Sequence, residues 1–173
     1  DAAAARGALL VDAESIADDA ASWRQLSYYR NGRAVPDEAG VWAAHLPTTA
    51  AVLDAIRASG AAAALPKGSM EFSLLAPGAR LRAHCGPSNH RLRLHLPVVV
   101  PPCPERACAL RVGDEARAWR EGEVLVFDDS FDHEAWVDER AVGERVVLMV
   151  DVWHPELSLD DRAEIRAHFR WSQ

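Results

Sequence analysis

Apolar and polar positions divide the chain into two regimes that meet near Leu65-Pro66-Lys67-Gly68. Ahead of that point Ile16, Ala20 and Trp23 recur at helical spacing. Val52, Leu53 and Ile56 do so again, between Thr48 or Thr49 as a cap and Gly60 as a stop. The pattern predicts a helix over residues 12–26 and a second one ending at Gly60, with residues 27–40 as a loop or short hairpin. From Ser69 onward, short β-branched and aromatic runs alternate with Pro-Gly, Val-Gly-Asp and Glu-Gly turns. The predicted strands are 70–75, 91–100, 109–112, 116–119, 123–127, 133–137 and 145–153. Seven or eight short strands with frequent turns imply a sandwich or a closed barrel. The tail over residues 158–169, with Ser-x-x-Asp ahead of Ile165 and Phe169, reads as a short amphipathic helix.

Length and composition narrow the setting. With 173 residues, 49% hydrophobic and 26% charged, the chain is one self-supporting domain. Its parts are a helical and loop support over 1–65, a β core over 66–157 and a C-terminal helix over 158–173. A net charge of -7 has the wrong sign for a phosphate-backbone binder, so nucleic acid is excluded as a partner and stable membrane association is not expected. No apolar run reaches membrane-span length and no basic-apolar leader is present. Cys85, Cys103 and Cys108 are too few for a disulfide framework, which favours reduced thiols and a cytoplasmic location, with a Cys103–Cys108 bridge left open.

The chemistry concentrates in two places. His90-Arg91-Leu92-Arg93-Leu94-His95-Leu96 alternates strictly, so Arg91, Arg93 and His95 share one strand face and the leucines the other. An ordinary strand would turn the charged face to solvent. Val98, Val99 and Val100 extend this one as a run apolar on both faces, typical of a central strand, although Pro97 counts against full pairing. The charged triplet then lines a lumen, where two guanidiniums and an imidazole suit carboxylates. His84 lies in a turn-rich loop between Pro77-Gly78 and Gly86-Pro87, and His133 follows 49 residues later. Double-stranded barrels that bind non-haem iron use an His-x-Asp pair and a distant His as a facial triad. Here the carboxylate position holds Gly86.

Three blocks carry a family resemblance: His84-Cys85-Gly86-Pro87-Ser88-Asn89-His90-Arg91-Leu92-Arg93-Leu94-His95; Glu121-Gly122-Glu123-Val124-Leu125-Val126-Phe127-Asp128-Asp129-Ser130-Phe131-Asp132-His133-Glu134; and Val150-Asp151-Val152-Trp153-His154-Pro155-Glu156-Leu157. In this order and spacing, across roughly residues 66–157, the chain resembles the aspartyl/asparaginyl β-hydroxylases. The resemblance implies a mainly β, double-stranded β-helix (jelly roll, cupin-like) and an Fe(II)- and 2-oxoglutarate-dependent oxygenase with two histidine ligands and no carboxylate ligand. On that basis His84 and His133 hold the iron; Arg145 pairs with the far carboxylate of 2-oxoglutarate, with Ser73, Arg93 and His95 as further cosubstrate contacts. Arg91 faces a substrate carboxylate, with Arg30 or Arg33 as possible helpers. The implied reaction takes O2 and 2-oxoglutarate, releases succinate and CO2, and hydroxylates an unactivated carbon of an amino-acid or peptide substrate, most simply the β-carbon of an Asp/Asn-like residue.

Several assignments stay open at this stage. Asp128, Asp129 or Asp132 can orient a ligand histidine or cap their own turn. Cys85 reads as an oxidisable bystander, His154 as structural, His45, His90 and His168 as unassigned or structural, and the six tryptophans as core and cavity wall. Three competing functions use the same residues: a two-histidine halogenase, with a halide in the place left by Gly86; an acyl-lipid hydroxylase; and a non-catalytic cupin-like binding module.

Overall fold

The computed structural model describes residues 16–19, 22–104 and 107–170. Through them run strands β1 (Trp23–Arg30), β2 (Arg33–Ala34), β3 (Ser69–Leu75), β4 (Arg80–His84), β5 (Arg91–Val99), β6 (Cys108–Val112), β7 (Glu115–Ala118), β8 (Leu125–Phe127), β9 (His133–Val137) and β10 (Arg145–Trp153), with helices α1 (Pro36–His45), α2 (Pro47–Ala58) and α3 (Leu159–Arg170). The larger sheet has the order β2-β1-β3-β10-β5-β8 and the smaller β4-β9-β6-β7, with every pairing antiparallel. From β3 to β10 the chain passes repeatedly between the two sheets, which is the winding of a double-stranded β-helix. The fold expected from the sequence is therefore the fold observed. No helix among the described residues is long and apolar enough to cross a membrane.

Two apolar clusters hold this frame. On the outer face of the larger sheet, Leu26, Tyr29, Met70, Leu148 and Val150 pack under Trp42 of α1 and Leu53 of α2. Trp42 meets its polar requirement by donating Nε1–H to the Ser27 carbonyl at 3.1 Å. Between the sheets, Leu75, Leu81, Leu110, Trp119, Val137 and Val147 fill one end of the sandwich. The inward positions of β3, β5 and β10 turn polar beyond that end, and the site lies there.

The N-terminal third departs from expectation. The predicted helix over 12–26 does not form where the chain is described: residues 16–19 are turn and bridge, with Ala17 opposite Leu81, and β1 starts at Trp23. Residues 12–15, 20 and 21 lie outside the described residues. β1 pairs along its length with β3, so the larger sheet begins well before residue 66. Its inward positions Gln25 and Ser27 are polar because they bond Glu71, and that concealed the two-residue period. The expected hairpin is present, turning at Asn31-Gly32 with φ of 52° and 77°. However, Pro36–His45 is a helix rather than loop, begun by a proline in the first turn where no N–H is needed. Strand β4 forms where a loop was expected. The expectation for Val98 and Val99 is also corrected: they are 47% and 44% exposed, because β8 pairs only with Arg93–His95 and leaves the end of β5 one-sided. The second helix and the C-terminal helix fall where predicted, the latter capped by Ser158 and Asp161 through reciprocal bonds.

Leu53 is the buried anchor of α2 and is fully enclosed. Leu53→Ala should cost about 2–5 kcal/mol in chemical denaturation, with no change in the denaturant slope.

Candidate functional site

The polar end of the sandwich encloses a cavity of about 290 Å3. Ser73, His84, Arg91, Arg93, His95, His133 and Arg145, drawn from β3, β4, β5, β9 and β10, all line it. The inward face of β5 that the alternation predicted is the one presented to the cavity.

His84 closes β4 and His133 opens β9, and the two are cross-strand partners beside an irregularity in the β4–β9 register. Such irregularities re-aim side chains. The rings lie 4.2 Å apart between centroids. His84 Nδ1 is 2.7 Å from the Arg82 carbonyl and His133 Nδ1 is 2.9 Å from the Phe131 carbonyl. A carbonyl can only accept, so both Nδ1 atoms carry the proton and both Nε2 atoms keep a lone pair. That is the tautomer a metal requires, with the second nitrogen fixed by main chain. Burial also holds the His133 imidazole below its usual range, keeping it neutral. Of the two readings left open for Asp128, Asp129 and Asp132, orienting the rings falls instead to backbone carbonyls. Asp128 caps its own turn through Ser130 N, and Asp132 pairs with Arg111.

Asp129 has a different task. It is fully buried and accepts from Arg91 Nε at 3.2 Å and Nη2 at 2.5 Å, with Arg93 Nη1 at 3.3 Å. Asp151, on β10, takes a bidentate bond from Arg93 at 2.8 and 2.9 Å, Arg91 Nη1 at 3.2 Å and the Ser69 N–H at 2.9 Å. Burial is the largest single influence and opposes ionisation of Asp151, but Arg93, Arg91 and the Ser69 N–H together outweigh it and hold the carboxyl below its usual range. Two cations and two anions therefore cancel in a closed quartet. Arg91, expected to meet a substrate carboxylate, spends its guanidinium on Asp129, Asp151 and the Lys67 carbonyl. Gly86, in the place of the usual carboxylate, is fitted to the same quartet. Its N–H bonds the Asp129 carbonyl at 2.5 Å, and a Cβ added there would lie 2.5 Å from Asp129 Cγ.

Arg145 occupies the opposite end. It is 1% exposed; Nη1 reaches the Ser73 carbonyl at 3.4 Å, the guanidinium lies 4.7 Å from the Trp119 ring centre, and Nε has no hydrogen-bond partner among the described residues. Burial without a counter-ion pulls this guanidinium down to about 9. Beside it, His95 Nδ1 accepts from Trp119 Nε1 at 3.4 Å, and burial with the nearby arginines holds the ring well below the usual range. A neutral ring accepting at Nδ1 carries its proton on Nε2, ready to donate. The Ser73 hydroxyl accepts from Trp23 Nε1 at 3.0 Å and keeps its own proton for a ligand. This end gathers donors that could receive an anion: Arg145, His95 Nε2 and the Ser73 hydroxyl.

Asp151, Glu71 and Gln25 were missed as site residues, while Asp129 was weighed only as an acid that orients a histidine or caps its turn and Trp119 only as core or cavity wall. Asp151 was legible: Arg145, Val147, Met149 and Asp151 share one face of β10, so the acid had to be buried with the arginine. Among the described residues no cluster of three His, Cys, Asp or Glu side chains is disposed to hold a metal. Cys85 is exposed; Cys103 and Cys108 are unbridged, and burial pushes the Cys108 thiol up to about 12. The contact at Gly86 makes a sharp expectation. Gly86→Ala should destabilise the protein by about 1–3 kcal/mol in thermal or chemical denaturation, whereas alanine at Gly40, an open position inside α1, should cause no loss.

Comparison with known proteins identifies the family. The family model described as Aspartyl/Asparaginyl beta-hydroxylase matches residues 3–155. The mouse aspartyl/asparaginyl beta-hydroxylase is 36% identical over 163 residues, covering 94% of this chain and 20% of that protein. Mouse aspartate beta-hydroxylase domain-containing protein 1 is 46% identical over 96 residues, covering 55% of this chain and 26% of its own length. The chain thus spans about a fifth to a quarter of the length of these two relatives. Among solved structures, a cupin protein from Bacteroides fragilis aligns over 60% of this chain and 77% of its own at 12% identity, with a TM-score of 0.42. With the family model covering most of its length, the chain belongs to the aspartyl/asparaginyl β-hydroxylase family.

Proposed function

We propose that the chain is an Fe(II)- and 2-oxoglutarate-dependent hydroxylase acting on the β-carbon of an Asp/Asn-like residue in a peptide, carrier-bound or free amino acid. The observation that carries this reading is Arg145: a buried, unmatched guanidinium opening into the same cavity as two imidazoles with free Nε2 lone pairs. A small dicarboxylate that reaches both at once satisfies each. His84 and His133 would hold the iron, Arg145 the far carboxylate of 2-oxoglutarate, and Ser73 and His95 Nε2 would donate to its oxygens. Arg93 would face the near carboxylate with one side of a guanidinium already fixed by Asp151. When bound, Fe(II) and 2-oxoglutarate supply oxygen activation, releasing succinate and CO2 as the substrate is hydroxylated.

The chain's own part is orientation and exclusion of water. The main-chain bonds to Arg82 and Phe131 fix the two rings; the quartet fixes the segments that carry them; Phe127, against both His95 and His133 at 5.0 and 5.6 Å between centroids, supplies an apolar wall. Arg91 serves the substrate end by holding Asp129 rather than as a free cation. The Asp129 carboxylate adjoins Gly86, so a halide there would meet an anion, which favours hydroxylation over halogenation. The charged side chains in the lining, Arg93, Glu71 and Arg145 among them, argue against an acyl chain, and two imidazoles with free Nε2 lone pairs beside unmatched Arg145 argue against a non-catalytic binding module. Unbridged cysteines are in keeping with a reducing compartment, the cytoplasm.

Incubation with Fe(II), 2-oxoglutarate, ascorbate and asparagine- or aspartate-containing peptides should release succinate and add one oxygen to the peptide by mass spectrometry. His84→Ala and His133→Ala should abolish both. Absence of succinate, together with no 2-oxoglutarate-dependent charge-transfer band under anaerobic conditions, would overturn the reading. Arg145→Met separates function from stability. It should weaken 2-oxoglutarate binding by at least about 30-fold in the same anaerobic titration. The folded state disfavours this charge, so the same change should raise the stability of the ligand-free protein by about 1–4 kcal/mol at neutral pH.

A further inference from the structure

Glu71 is a buried carboxylate with no part in holding iron or 2-oxoglutarate. It is 2% exposed and lines the cavity. Gln25 Nε2 donates to Oε1 at 2.7 Å, Ser27 Oγ donates to Oε2 at 2.8 Å, and Arg30 Nη2 reaches Oε2 at 3.4 Å and Ser27 Oγ at 2.7 Å. Donors from β1 thus clamp one acid on β3. In the register of the larger sheet Ser27, Glu71, Met149 and His95 form one cross-strand row. With strands about 4.7–4.9 Å apart, Glu71 stands about 9–10 Å across the floor from His95, with Met149 between them, so that a substrate group reaching Glu71 would lie over Met149.

The buried charges on this side of the cavity are already matched, and Lys67, which also lines it, is exposed to solvent. Arg91 and Arg93 are matched by Asp129 and Asp151, and Arg30 meets Glu71. The unmatched cation, Arg145, lies at the other end, paired in register with Leu75. Burial has already raised the Glu71 carboxyl above its usual range, so a second carboxylate against it would be costly. A group with N–H donors gains instead: it gives a hydrogen bond to Glu71, and a carboxamide can also accept one from Arg30.

We propose that Glu71, braced by Gln25 and Ser27, is the specificity residue of the cavity and selects a substrate group bearing N–H donors, a primary carboxamide or an ammonium, over a carboxylate. The inference rests on the hydroxylase reading in taking the bound molecule to be an amino-acid residue.

The test is calorimetric titration of the full chain, without added iron or 2-oxoglutarate, with three peptides identical except at one residue: asparagine, 2,3-diaminopropionate or aspartate. The asparagine and diaminopropionate peptides should bind at least about tenfold more tightly than the aspartate peptide, and their order separates carboxamide from ammonium. Glu71→Gln should bring the three affinities to within about threefold, and Gln25→Ala, which loosens the brace, should narrow the gap part-way. Aspartate binding as tightly as the others in the unaltered chain overturns the proposal, as does an unchanged ranking in folded Glu71→Gln or no binding of any peptide. The ranking in the unaltered chain stands even if Glu71→Gln fails to fold. A ranking as expected without succinate release would sink the hydroxylase reading and keep Glu71 as the selector; succinate release without the ranking would do the reverse.

Discussion

The site is built around four charges buried where water cannot screen them. Arg91 and Arg93 come from β5, Asp151 from β10 and Asp129 from the segment leading into β9, and none of the four is tolerable there alone. Their attraction therefore acts as a positional constraint more than as a source of stability. It joins the larger sheet, through both arginines and Asp151, to the loop that delivers His133. Asp129 extends the constraint to the other histidine, because its own carbonyl receives the Gly86 N–H and its side chain fills the space where a residue-86 side chain would go. His84 is two residues before Gly86 and His133 four after Asp129, so one buried ion cluster sets the separation of both rings.

This accounts physically for a glycine where a triad carboxylate would stand. A side chain at residue 86 and a carboxylate at 129 compete for one volume, and the chain resolves the competition in favour of Asp129. The acid is not lost from the neighbourhood. It is moved to a different segment and tied to two arginines, which make it a fixed anion beside the histidines.

What the sequence disclosed follows the same logic. The strict alternation through Arg91, Arg93 and His95 was readable because charged residues at every second position are unmistakable, and β10 was readable because its outward positions are apolar and helix-covered. Strand β1 was not, since its inward positions Gln25 and Ser27 are polar for the sake of Glu71, which removes the apolar period that marks a strand. Strand β4 was hidden likewise: of its five residues only Leu81 is buried, and its last residue is the histidine. The pairing of Asp129 with Arg91 and Arg93 depends on segments 36 to 38 residues apart and has no local signature. In β1 and β4 it was the site itself that had distorted the patterning.

Arg145 completes the argument by contrast. It sits where the polar cavity meets the apolar cluster of Leu75, Trp119 and Val147, which are also the residues that make the sandwich stable. An exposed arginine in that role would bind an anion weakly, since water would screen both charges. Held against Trp119 and a single long main-chain contact, it keeps its charge at neutral pH but lacks a counter-ion. The stability that such burial forgoes is supplied elsewhere, by the helix-covered outer face and the apolar end of the sandwich. It is recovered when a carboxylate arrives, because the same low-polarity surroundings that penalise the lone cation strengthen its bond to an anion. The quartet is closed so that the histidines stay in place, and Arg145 is left open so that a ligand has a reason to bind.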